Sequence, residues 1–111
     1  MPDPLEEYVE AEIGELLNLR FTAGSGNALG DGDLKPRARD IHADIQFGVE
    51  CKRRTTTKAH TVPWSEYQKA KKQVEKGGNT LLFVTQNAAR HRMVHMDFAD
   101  FKQLLLILME R

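Results

Sequence analysis

The segment Ile41 to Lys52, IHADIQFGVECK, alternates apolar and polar residues without a break. Ile41, Ala43, Ile45, Phe47, Val49 and Cys51 fall on one side, and His42, Asp44, Gln46, Gly48, Glu50 and Lys52 on the other. Successive side chains of an extended chain point to opposite faces, so a period of two marks a strand with one buried face. The segment is predicted to be one strand, or two joined near Phe47–Gly48, and any fold of this chain must cover its apolar side.

The remaining pattern supplies the cover. Leu5, Tyr8, Val9, Ile13, Leu16 and Leu19 recur at helical spacing and predict a helix over 4–19. Residues 22–32, TAGSGNALGDG, are Gly-rich and polar and predict a loop. A basic, Thr-rich loop over 53–62 leads to a helix over 64–76, ended by Gly77–Gly78–Asn79 where a left-handed cap is easily adopted. Thr80 to Thr85, TLLFVT, is continuously apolar and reads as a strand buried on both faces. Arg92 to Met96 reads as an edge strand, and 97–110 as a last helix capped by Asp97 or its neighbour. The expected architecture is α/β, a mixed sheet flanked by helices, in a single domain spanning 1–111.

Composition narrows the setting. The first nineteen residues carry six acids and no Lys or Arg and lack an apolar core, so no signal peptide is expected. Leu104 to Met109 is too short to span a membrane. A lone cysteine, Cys51, excludes an internal disulfide and a multi-cysteine zinc site, and fits a reducing, cytoplasmic location. The net charge of zero hides an asymmetry: residues 51–76 hold eight Lys or Arg against two acids. That surplus suits phosphate, although a solvated helix face would look the same.

Three places carry chemistry. Glu50 and Lys52, two apart on a strand, project to the same face while Val49 and Cys51 point to the core. A carboxylate holds a hard cation through oxygen, and a neighbouring ammonium positions attacking water and offsets charge developing on phosphate. An exposed ion pair is the plainer reading of such a pair. Asp33, in GDGDLK, follows the Gly-rich loop and can open a strand beside that of Glu50; Asp31 and Asp33 as ordinary turn residues are the alternative. Glu12 falls near the middle of the first helix's apolar stripe on a wheel of about 100° per residue. Burying a carboxylate is costly unless it is paired or bound to a cation, so Glu12 is either a metal ligand or a structural glutamate bonded to a backbone amide or Arg20. Asp44 is too far from Glu50 to share a metal if 41–52 is one strand, at about 20 Å for roughly 3.3 Å per residue.

Helix glutamate, strand aspartate, then E-x-K on the next strand resembles the PD-(D/E)XK nucleases. AGSGNALGDGDL followed by VECK is similar, more narrowly, to the Holliday junction resolvases of archaeal and phage type, through Ala23, Gly24, Ser25, Asp33, Leu34, Glu50 and Lys52. The resemblance covers residues 5–86. The link from helix to loop is shorter than the pattern, which makes Glu15 a rival to Glu12, and the gap from Asp33 to Glu50 is long.

The resemblance implies a restriction-endonuclease-like core, α-β-β-β-α-β with an extra C-terminal strand and helix. It implies one or two Mg²⁺ or Mn²⁺ ions held by Asp33, Glu50, the backbone carbonyl of Cys51 and Glu12, with Lys52 at the nucleophile. It places Arg20 and Ser25 at the backbone near the cut, and Arg53, Arg54, Lys58 and, further out, Lys69, Lys71, Lys72 and Lys76 on flanking phosphates. Gln68 as a phosphate contact, His42 as a ligand and Trp64 as a base-stacking platform are each weaker than a surface or packing role. The last helix, apolar on most of its circumference through Phe98, Phe101, Leu104, Leu105, Leu106, Ile107, Leu108 and Met109, calls for cover from two directions. A homodimer supplies that, and a four-way junction needs two cuts; deep packing within one subunit is the alternative. Other PD-(D/E)XK nucleases of nicking, repair or restriction type, a non-catalytic DNA-binding module, and an RNA-associated α/β domain are the competing readings.

Overall fold

A computed structural model describes residues 3–17, 19–21, 34–36 and 45–109, the two short middle stretches by their main chain. The predicted loop over 22–32 with Ser25, the candidate ligand Asp33, and the first part of the alternating segment, 41–44, lie outside the described residues.

The first helix starts where its chemistry dictates. Asp3 accepts from the N–H groups of Leu5 and Glu6 at 2.8 and 3.1 Å, and Glu6 reaches back to the N–H of Asp3 at 3.4 Å. This reciprocal capping box, with Pro4 in the first turn, fixes helix α1, Pro4–Val9. The helix continues through a π-helical turn, Glu10–Gly14, into α2, Glu15–Leu17. It ends two residues earlier than expected, because Leu19 opens strand β1, Leu19–Phe21.

Strand β2, Leu34–Pro36, runs antiparallel to β1, with Leu34 also opposite Val49 of β3, Phe47–Arg53. Helix α3, Trp64–Glu75, crosses over to β4, Thr80–Gln86, which lies parallel to β3. Strand β5, Arg92–His95, turns back antiparallel to β4, and α4, Phe98–Met109, follows. The five strands form one mixed sheet in the order β1-β2-β3-β4-β5. The chain is thus α/β, as its pattern predicts. Arg90, whose N–H closes the β4–β5 turn on the Asn87 carbonyl, holds a left-handed φ of 61°.

Each face of the sheet has its own core. Leu5 and Val9, with Ile13 and Leu17, pack on Phe47, Val49, Cys51, Leu82 and Val84. Tyr67, Ala70 and Val74 of α3 pack on Leu81 and Phe83, with Val62 alongside. The alternating segment therefore differs from expectation in one respect: Gly48 and Glu50 are buried too, because α3 lies over the polar face. The α3 stop behaves as predicted, with Gly78 at φ 80° and the Asn79 N–H returning to the Val74 carbonyl at 3.2 Å.

The end of the chain is less covered. No residue of α4 is buried, and only Leu104 leans on the α1-side core. Deep packing within one subunit is not what α4 does. Nor does Asp97 cap it with its carboxylate, which is turned toward α3. Among the described residues, no helix is long and apolar enough to cross a membrane.

Candidate active site and a histidine cluster

Alternation along β3 sorts its side chains. Val49 and Cys51 enter the α1-side core, and the buried Cys51 forms no disulfide. Glu50 and Lys52 share the α3 side, where Glu50 is opposite Phe83 and Lys52 opposite Thr85 on β4. Exposure rises along the strand: Glu50 is 8% exposed, Lys52 is half-buried and Arg53 is exposed. Lys52 thus sits at the carboxyl end of β3 beside that of the parallel β4, the end of an open α/β sheet where ligands collect, and Glu50 lies one side chain further in, at mid-strand.

The other carboxylates predicted for this site are not assembled with it. Asp33 lies outside the described residues, directly before β2 in sequence. Glu12 is exposed, and it borders a groove of about 220 Å³ with Tyr8, Ile13, Val84, Arg92 and Val94. Val84 and Val94 face the α1 side of the sheet, whereas Glu50 faces the α3 side, so a layer of backbone separates Glu12 from Glu50. The wheel misplaced Glu12 for two reasons. Leu19 lies on a strand, and Leu16 is 80% exposed, so neither belongs to the stripe, which is Leu5, Val9, Ile13 and Leu17. Glu15, the rival, is exposed as well. The groove's own charge is Arg92, whose guanidinium carbon stands 3.6 Å over the Tyr8 ring. Among the described residues, no three His, Cys, Asp or Glu side chains are placed to share a metal ion.

The basic residues divide. Lys58 and Lys69 are exposed. Arg53 lies 3.9 Å from Asp3, and Arg54 lies 3.4 Å from Glu66, both partly open to solvent. Lys71 is withdrawn from any phosphate role, because its ammonium binds the Asp97 carboxylate. That carboxylate holds Lys71 above the usual lysine value, and the two hydrogen bonds from Lys71 and Tyr67 hold Asp97 below the usual carboxylate value. Arg20 stands in β1 opposite Lys35. Gln68 is exposed, and Trp64 is 68% exposed with one face stacked on Tyr67 at 6.0 Å, so it is not buried packing.

What the sequence reading missed lies beside Lys52. His60 Nδ1 is 2.7 Å from Thr85 Oγ1, and Thr85 Oγ1 is 2.8 Å from His95 Nε2. On its other side, His60 Nε2 is 2.9 Å from His91 Nδ1. His60 lies 31 and 35 positions before His91 and His95, yet β4–β5 pairing and the return of the 54–63 segment bring the three together. The usable signal was Thr85, a polar residue closing an apolar run. Burial pushes His95 below the usual histidine value, and the nearby His60 adds to the shift.

Comparison of the chain with protein-family models, with curated proteins and with solved structures finds no match in any of the three.

Proposed function

We propose that this chain is a metal-dependent DNA endonuclease with a restriction-endonuclease-like core, acting on branched DNA such as a four-way junction. The observation that carries the reading is the Glu50–Lys52 pair, side by side on one face of a central strand and leading from its middle to its carboxyl end. The element order also agrees with what the resemblance implies: helix, three strands, helix, strand, then a further strand and helix. Arg53, Arg54, Lys58 and Lys69 supply phosphate-binding charge around that end.

The fit to a metal is partial. Glu50 offers the oxygen donor that Mg²⁺ or Mn²⁺ takes, with Asp33 and the Cys51 carbonyl as its companions in this reading, and Glu12 is excluded. Such an ion, when bound, lowers the pKa of a coordinated water and neutralises phosphate charge. Glu50 would help to hold that ion, Lys52 would hold the nucleophile or a phosphate oxygen through its ammonium, and the basic rim would fix the flanking backbone. A second copy joined through α4 would provide the other cut of a junction.

The burial of Glu50 beneath α3 favours a second reading, a DNA-binding module without catalysis. A labelled four-way junction and a matched duplex, each incubated with and without Mg²⁺, separate the two. Mg²⁺-dependent cutting of the junction supports the nuclease; binding without cutting at any Mg²⁺ concentration supports the module.

A further inference from the structure

The segment 54–63 returns to the sheet through a ladder of bonds with the β4–β5 turn. The Arg54 N–H donates to the Gln86 carbonyl at 2.8 Å, the Ala88 N–H to the Thr57 carbonyl at 2.8 Å, and Asn87 Nδ2 to the Lys58 carbonyl at 2.9 Å. Asn87 Oδ1 meanwhile accepts from the N–H groups of Ala89 and His91, which shapes the turn. The histidines close the far end of this ladder.

Their proton count is constrained. Thr85 has one hydroxyl proton and two ring partners, so one ring must donate to it while it donates to the other. Between His60 and His91, one of the two facing nitrogens carries the proton and the other accepts. The ring centroids, 5.0 Å apart, are separated by little less than the nitrogen distance plus both ring radii. The two nitrogens therefore point at each other, as in a hydrogen bond, and do not converge on a common metal. With all rings neutral, every bond is satisfied, in either direction along the chain. One added proton on any ring also leaves every bond intact.

A second proton does not fit. Either two N–H groups oppose each other between His60 and His91, or Thr85 accepts from both sides and its own proton, at a residue 2% exposed, loses its acceptor. Charges on His60 and His91, or on His60 and His95, would also lie only 5.0 or 6.4 Å apart between ring centres. The surrounding groups resist them further. Lys52 on β3, Arg54 and Lys58 on the segment, and Arg90 and Arg92 beside His91 are all cations. The acids on neighbouring elements are engaged elsewhere: Glu66 with Arg54, and Asp97 with Tyr67 and Lys71, where Asp100 acts as well. Glu50 stands opposite Phe83, one step back along the sheet. Among the described residues, no carboxylate is bonded to any of the three rings.

We infer that His60, His91 and His95, linked through Thr85, form a proton-operated latch that docks the basic 54–63 segment on the β4–β5 turn, closed with up to one proton and opened by a second. Opening frees Arg54 and Lys58 from fixed positions. This consequence for DNA rests on the proposed nuclease reading; the latch itself does not.

Hydrogen exchange of the full chain without DNA tests the latch. Between about pH 7.5 and pH 5.5, exchange in peptides covering 54–63, corrected for the intrinsic rate, is expected to rise about tenfold while α3 and β4 stay unchanged. His91→Gln, at an exposed position, keeps a partner for His60 but removes two of the three conflicting ring pairs, and is expected to shrink the step, the His60–His95 conflict at Thr85 remaining; His60→Gln gives a second check. A pH-independent rate in the wild type, or an undiminished step in both variants, overturns the latch. Protection of 54–63 by micromolar Zn²⁺ at neutral pH, lost in His91→Gln, also overturns it, in favour of a metal site. Failure of the same protein to bind a junction at either pH counts against the nuclease alone, and the exchange step then still decides the latch.

Discussion

The phenol of Tyr67 donates to Oδ1 of Asp97 at 2.8 Å, and the ammonium of Lys71 bonds the other oxygen of the same carboxylate. One side chain in the linker after β5 thus ties the start of α4 to the middle of α3. Asp97→Ala should lower stability by about 1–2 kcal/mol, the smaller end of the range for charge-assisted bonds because the pair is partly exposed. The pH dependence follows from the directions. Asp97 titrates below its usual 3.8, so its contribution is present above that value and lost as pH falls through the folded value. Tyr67 is raised above its usual 10.0, first by burial and then by Asp97, so its contribution is lost as pH rises beyond 10. Urea unfolding across pH should show both flanks in the wild type and a flatter profile in Asp97→Ala.

Glu50→Gln and Lys52→Ala each remove one member of the pair on β3. Under the nuclease reading, both should reduce junction cleavage by at least about 100-fold while binding, measured by gel shift in Ca²⁺, is kept. Wild-type cleavage rates in either variant would remove the catalytic assignment.

Glu12→Gln should behave otherwise. An exposed carboxylate on the opposite face of the sheet from Glu50 has no route to the reacting phosphate. Cleavage should stay within about twofold, and stability within about 0.5 kcal/mol, as for other surface changes. A loss like that of Glu50→Gln would mean that the helix is repositioned on DNA.

Leu105 and Leu108 on α4 are 42% and 55% exposed in the single chain. Replacing both with Glu should therefore leave the monomer folded, while a dimer joined through α4 would lose a buried leucine contribution of about 1.5–3 kcal/mol at each position. Light scattering during chromatography is expected to give a dimer for the wild type and a monomer for the double variant. A cruciform plasmid should then be linearised by the first and only nicked by the second; a wild type that runs as a monomer at micromolar concentration would refute the α4 dimer.

Periodicity made the layers legible. Phe47, Val49 and Cys51 alternate and are buried together, and Leu81 to Val84 are buried on both faces as an unbroken apolar run demands. The crossover from β3 to β4 through α3 followed from the basic loop and the glycines after the helix. What failed was phase and distance. An ideal wheel carried Leu16 and Leu19 into a stripe that they do not join, and so drew Glu12 toward the core. Burial of Glu50 came from a helix on the far side of the strand, which local alternation does not report. The histidines were illegible for a related reason: His60, His91 and His95 meet only because Thr85 sits where β4, β5 and the 54–63 segment converge, a property of topology and not of spacing.

The π turn at Glu10–Gly14 has a bearing on how this helix tolerates change in length. A π turn accommodates one residue more than an α turn in closing its hydrogen-bonded ring, so the helix already carries an insertion. Removing one residue there would let the segment close as regular α-helix, keep the Asp3 cap and leave the residues on either side facing as they do, because the deletion takes out only the extra residue of the turn. With Ala11 removed, the core-facing Leu5, Val9, Ile13 and Leu17, now four apart throughout, would take spacings of four, three and four, the apolar stripe of a regular α-helix, and the strand beginning at Leu19 would keep its direction. A single-residue deletion in this turn is therefore expected to be tolerated, whereas one in α3, a regular helix with no residue to spare, would turn part of its Tyr67, Ala70 and Val74 face about 100° away from the sheet.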